Sequence, residues 1–212
     1  MSRYVGRANT AKRLAPLEGA SGRAVYADGS ARLETATETL VVRPPFPLRH
    51  QGEYDVVRVR PLLDEIAEDH RVGAVLVRLG GYAVGVFEGE RLVASKVGQR
   101  LVHGRHRAGG SSANRFRRRR EEQARLLLQE AGEVADRVLA PERPVVEAIA
   151  LGGDRTAVRK MIELRPELEW LDSLAIERFF TVPDPRQAVL ERLPYDLYAV
   201  EIDEIRPSER AR

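Results

Sequence analysis

From Ala113 to Val138, apolar residues recur at steps of three and four: Ala113, Phe116, Ala124, Leu127, Ala131, Val134 and Val138. Arg120 fills the one missing place. That spacing is one face of an amphipathic helix and predicts a helix over 112–139. Its first two turns are nearly all arginine, at Arg115, Arg117, Arg118, Arg119 and Arg120. Acids normally occupy a helix's first turn, because the dipole is positive there. Arginines at that end add repulsion that stability alone would not select. The dipole, the free N–H groups of the first turn and the guanidinium groups all attract one thing, an anion.

The charge distribution agrees. Between Lys96 and Arg125 there are ten Lys/Arg against Glu121 and Glu122, a net +8, while the rest of the chain holds 25 Lys/Arg and 30 Asp/Glu. A mildly acidic body therefore carries one strongly basic segment, which points to a polyanion, most often nucleic acid. Just ahead of the helix lies a basic loop, residues 103–112, with His103, Arg105, His106, Arg107 and the pair Gly109-Gly110. Adjacent glycines let a backbone adopt conformations that side chains forbid and approach another molecule closely.

Composition excludes several classes. The chain of 212 residues has no cysteine, so it has no disulfide scaffold, thiolate metal site or Cys nucleophile. A 43% hydrophobic fraction supports a core, and the 32% of charged residues are mixed in sign. No 18-residue apolar run and no signal-peptide pattern is present, so a soluble cytoplasmic protein with no membrane contact is expected.

Residues 1–20 read as a frayed or short helical arm. Two apolar runs around Asp28-Gly29 predict a hairpin over 22–34, and Thr39–Arg43 a further strand. Pro44, Pro45 and Pro47 with Gln51-Gly52 are the best linker candidate, making 1–50 an N-terminal extension or small β subdomain and 51–207 the main domain. Tyr54 to Val59 reads as a strand, and residues 62–70 as a short helix with Pro61 in its first turn. Residues 74–79, 82–87 and 92–97 predict a three-stranded antiparallel meander, apolar enough to be covered by helices on both faces. Residues 145–151 read as a buried strand. Gly152-Gly153 reads as a tight turn into a helix, because the Lys-Ser/Thr of a phosphate loop is missing. A strand ending at Val182, a helix over 186–197 and a last strand complete the chain. The fold class is α/β, with one mixed sheet containing the meander and helices on both faces.

The run HGR-x-x-x-GGSSANRFRRRREEQ resembles the signature loop and helix of eukaryotic and archaeal class-1 peptide release factors, approximately KHGRGGQSA-x-RF-x-R-x-R. His103-Gly104-Arg105 match its HGR after an insertion of His106 to Ala108; Gly109-Gly110 match its Gly-Gly. Ser112-Ala113 and Arg115-Phe116 match its SA-x-RF, and Arg118 and Arg120 its later basic positions. Strong similarity covers about residues 72–139. An actinobacterial branch related to the Vms-type tRNA hydrolases of ribosome quality control fits best. The resemblance implies the release-factor middle-domain fold, an RNase H-like sheet, and hydrolysis of the peptidyl-tRNA ester without cofactor or metal. In the family a backbone N–H at the loop tip stabilises the oxyanion, and a Gln after Gly-Gly helps place the water. Here that position is Ser111, which keeps the N–H and loses the amide.

The resemblance thus implies Gly109, Gly110 and Ser111 as the catalytic loop. It implies His103, Arg105, His106, Arg107, Arg115, Arg117, Arg118, Arg119 and Arg120 as contacts to ribosomal RNA or the tRNA acceptor end. The partners implied are large-subunit RNA and peptidyl-tRNA. The residues ahead of the main domain are fewer than a codon-reading domain needs, which favours rescue of stalled large subunits over termination at stop codons. Two alternatives remain at this point: a ribosome- or RNA-binding protein with a dead loop, and a metal nuclease built on scattered acids such as Glu53, Asp55, Asp154, Asp203 and Glu204. Phe116 reads as a core anchor of the helix base.

Overall fold

The computed structural model describes residues 2–99 and 111–205, apart from the side chains of residues 2, 111–114 and 116. The chain forms two compact units, Met1–Asp69 with Pro194–Arg212, and His70–Leu193.

The first unit opens with β1 (Ser2–Val5) and α1 (Arg7–Leu14). The hairpin comes next as β2 (Ser21–Ala27) and β3 (Ser30–Thr35), joined at Asp28 and Gly29, φ 50° and 69°. Two positive φ values make the mirror-image turn whose twist suits a hairpin. Then come β4 (Thr39–Arg43), β5 (Gly52–Val56) and α2 (Arg60–Ala67), which carries Pro61 in its first turn.

The second unit holds β6 (Arg71–Arg78), β7 (Gly81–Glu88) and β8 (Arg91–Gln99), the expected meander, and then α3 (Ser111–Leu139). After α3 come β9 (Ala148–Gly153), α4 (Arg155–Leu164), α5 (Trp170–Ser173) and α6 (Gln187–Leu197). The last strand, β10 (Val200–Ile205), returns to the first unit, where it lies between β1 and β4.

The single mixed sheet is thereby corrected to two. The first unit has a six-stranded antiparallel sheet, β1-β10-β4-β3-β2-β5, and the second a four-stranded mixed sheet, β8-β7-β6-β9, in which β6 and β9 run parallel. Burial alternates along β3 and β4, so one face of the first sheet packs on Leu14 of α1 and on Leu62 and Ile66 of α2. Helices cover both faces only in the second unit. There β6 and β7 are buried except at their charged ends, Arg71, Arg78 and Glu88; α3 and α4 lie on one face, and Leu190 of α6 meets Gly85 on the other. The edge strand β8 is half-exposed instead of enclosed.

Other differences are local. The arm over 2–14 is ordered, because β1 pairs with β10 and Leu14 is buried. The Pro-rich stretch buries Phe46 and Leu48, so it is a packed connection and not a linker, and the units divide at 69/70 and 193/194 instead of near residue 50. The strand expected to end at Val182 reduces to two isolated bridges onto β9, at Ala175 and Phe180. The tight turn after β9 is as expected: Gly153 has φ 100°, and a Cβ there would meet the Val77 carbonyl oxygen at 2.1 Å.

α3 changes character along its 29 residues, about 43 Å of helix. Leu127, Leu128, Ala131, Val134, Ala135 and Leu139 are buried in the core of the second unit, and upstream of Leu127 no described side chain of the helix is buried. Leu127→Ala should therefore cost about 2–4 kcal/mol in urea unfolding. Leu126→Ala, one position earlier and 40% exposed, should stay within about 0.5 kcal/mol.

Candidate nucleic-acid interface

The helix lies antiparallel to β6. Leu139 reaches Gly73 near the start of that strand. Nine residues earlier, Glu130 accepts a hydrogen bond from the phenol of Tyr82, whose β-partners Val77 and Gly98 are near the far ends of β6 and β8. Residues 111–126 therefore run past the end of the sheet, a reach of about 24 Å at 1.5 Å per residue.

Tyr82 also sets the geometry at this end of the sheet. Its ring lies on Gly98, where an added Cβ would stand 2.2 Å from the ring. It thus bridges the end of β8 and the seated half of α3. Burial pushes its phenol up to about 12, and the Glu130 carboxylate adds to the shift.

The arginines sit on the unseated half. Arg115, Arg117, Arg118 and Arg119 are exposed and Arg120 is half-buried. Arg117 makes a long contact with Glu121, at 3.9 Å. Arg115, Arg118, Arg119 and Arg120 have no ion pair among the described residues. The first unit behaves differently. Arg3 and Arg13 meet Glu204, Arg23 meets Glu53, Arg43 meets Asp203 and Arg49 meets Glu68. Arginine is common throughout this chain, but among the described residues only along α3 is it left uncompensated in a row. A row of free guanidinium groups on an exposed helix can neutralise phosphates and fix an RNA without reading its sequence.

Of the residues assigned from sequence, His103, Arg105, His106, Arg107, Gly109 and Gly110 lie outside the described residues, as does the side chain of Phe116. Ser111 is the first residue of α3. Lys96 is exposed on β8 opposite Val84, on the sheet face that carries α3. Four of the five acids considered for metal chemistry have other roles: Asp154 caps α4 by accepting from the N–H groups of Thr156 and Ala157, and Glu53, Asp203 and Glu204 hold the arginines just named; Asp55 is exposed on β5. Sequence reasoning missed the Tyr82–Gly98–Glu130 contact. Its only signal was a glycine in a strand interior, which marks a close approach.

Replacing Arg118, Arg119 and Arg120 with Gln should lower the slope of log affinity against log salt by about 2 in RNA-binding titrations, at 0.7–0.9 per phosphate contact. A second outcome concerns Tyr82, which keeps its proton in the folded state above the pH, about 10, at which it loses it unfolded. Its contribution to stability is thus full below pH 10 and is lost as the pH rises towards 12. Tyr82→Phe should flatten the alkaline fall in a pH series of melting temperatures.

The family model described as "Actinobacteria/chloroflexi VLRF1 release factor" matches residues 70–203. Peptide chain release factor subunit 1 of Aeropyrum pernix is 27% identical over 130 residues, 59% of this chain and 35% of that protein. The eukaryotic peptide chain release factor subunit 1 of Oxytricha trifallax is 31% identical over 108 residues, covering 50% and 24%. The chain thus spans about a third of the length of the curated relatives it matches, or less. A solved structure, "archaeal translation termination factor, aRF1", superposes with a TM-score of 0.45 at 16% identity, covering 92% of this chain and 73% of that one. With the family model spanning the whole second unit and most of the strand after it, the chain belongs to the Actinobacteria/chloroflexi VLRF1 release factor family.

Proposed function

We propose that this protein hydrolyses the ester of peptidyl-tRNA on stalled large ribosomal subunits, with α3 as the arm that carries the Gly109-Gly110-Ser111 loop to the ester. The observation that carries the reading is the row of uncompensated arginines on a helix with no buried described side chain upstream of Leu127, in a chain of a release factor family.

The chemistry asks for little. Attack of water on the ester carbonyl makes a tetrahedral oxyanion, and a fixed N–H aimed at it contributes about 3 kcal/mol. Ser111 opens α3, and the first four N–H groups of a helix have no partner within it. Its N–H therefore points out along the helix axis at the positive end of the dipole, where an oxyanion is favoured. Holding one water against the carbonyl accounts for the remaining catalysis. The arginines neutralise phosphates of ribosomal RNA and of the tRNA acceptor end. A second reading, a non-catalytic ribosome-binding protein of the same fold, is favoured by one observation, Ser111 where the family has Gln.

The test uses purified large subunits carrying peptidyl-tRNA and measures peptide release over time with and without chelator. Wild type should release peptide with no metal requirement. Gly110→Ala should bind equally and release at least about a hundredfold more slowly, because a side chain there restricts the backbone that aims the Ser111 N–H, and a misaimed oxyanion donor is worth as little as a lost one. Ser111→Ala should retain most of the rate, because it keeps the N–H. Salt-dependent binding by wild type with no release would leave the binding-protein reading.

A further inference from the structure

Beside α4 lies a groove of about 900 Å³, whose opposite wall is formed by residues 169–179. Its floor is apolar, with Leu151 and Val158, but its rim is charged. Arg155 and Arg159 stand one turn apart on α4, Glu163 lies one turn later, and Glu169 and Asp172 face them from the other wall. None of these five makes an ion pair among the described residues, whereas Arg165, at the end of the same helix, meets both Glu133 and Glu167. The charges are segregated along α4, cations at its start and a carboxylate near its end. That start comes just after Gly153, paired with Val77 at the end of the sheet past which the arginines of α3 run.

The Arg155 guanidinium lies over the ring of Phe179, 4.3 Å from its centroid. An arginine over an aromatic ring can stack on it and offer its other face to a base. An apolar floor, a flat stacking surface, cations at one end and unpaired carboxylates at the other match the parts of a nucleotide: phosphate, base plane and base-edge donors. The groove opens at the end of the sheet past which the arginines of α3 run, which favours a nucleotide of the same RNA over a docked peptide.

We infer that this groove takes one unpaired nucleotide of the RNA that α3 engages, its phosphate on Arg155 and Arg159 and its base on the Arg155–Phe179 stack. Glu163, Glu169 and Asp172 then accept from the base edge. A carboxylate can take the paired N–H donors of guanine, while uracil offers a single imino N–H and otherwise acceptors. The groove therefore prefers guanine over uracil, where α3 reads no base. This rests on the proposed RNA-binding role of α3.

The experiment measures binding of the full chain, by fluorescence anisotropy, to two RNA hairpins that differ only in a single bulged nucleotide, G or U. Wild type should prefer the G bulge. The double variant Arg155→Ala, Arg159→Ala should lose about tenfold in affinity and reduce the salt slope by about 1. Glu163→Gln with Asp172→Asn should abolish the G preference without weakening binding to the U bulge. Arg155→Lys should keep the salt slope and lose the preference, because it keeps the charge without the plane. All these side chains but Phe179 are exposed, so thermal melting should be unchanged. If the Arg118, Arg119 and Arg120 variant weakens RNA binding but the groove variants do not, the groove inference alone is overturned. If neither does, the RNA-binding role of α3 fails with it. Groove variants that bind both RNAs normally yet release peptide slowly on subunits would assign the groove to a protein partner and overturn the inference.

Discussion

Everything that makes this chain unusual hangs on the seating of the second half of α3. Arg115 with Arg118 and Arg119, and Arg117 with Arg120, are like-charge pairs at helical spacing, each costing about 0.2–0.5 kcal/mol in a free helix. Against about 1 kcal/mol of repulsion stand Leu127, Leu128, Val134 and Leu139, all buried, each worth roughly 1.5–3 kcal/mol. The anchor outweighs the repulsion several times over. A helix this poorly suited to standing alone is thus held in place from one end, and its first half can be devoted to charge.

The contrast in how the two units handle arginine separates architecture from function. In the first unit each guanidinium named above meets a carboxylate, most of them across neighbouring strands, and such exposed pairs contribute little individually. Along the first half of α3 the long Arg117–Glu121 contact is the one such pair among the described residues, and around the groove beside α4 both signs are present but kept apart. Solvation would explain scattered charge as readily as paired charge. It does not explain an unbroken row of one sign on one helix in a chain whose remainder is acidic.

The second unit was legible because its signals are local. The meander shows as apolar runs cut by Gly80-Gly81 and Glu88-Gly89-Glu90, and α3 as a stripe of steps three and four. Leu127, Ala131 and Val134 on that stripe are buried as read and Ala124 and Val138 are half-buried; Leu128, Ala135 and Leu139 widen it. The first unit was less legible because its pairing is distant. Nothing around Arg3 announces a strand, since its partner is Ile202. Phe46 looked like part of a linker because three prolines surround it, yet prolines only forbid regular structure and do not forbid burial. The arginine row could be read from sequence because its members are neighbours. The groove could not, because Arg155, Asp172 and Phe179 come together only through the turn of the chain after α4.

The position of β10 has a consequence for how the protein is made. It is hydrogen-bonded on one side to β1 and on the other to β4. During synthesis the residues of β1 and β4 emerge well before those of β10, with the whole second unit between them. The hairpin of β2 and β3 and its neighbours β4 and β5 emerge early, and His70–Leu193 follows as one continuous stretch. β1 has no strand to join until Val200–Ile205 has been made. The unit whose strands emerge first therefore completes its sheet last, and β4 keeps an open edge for as long as the second unit takes to be synthesised.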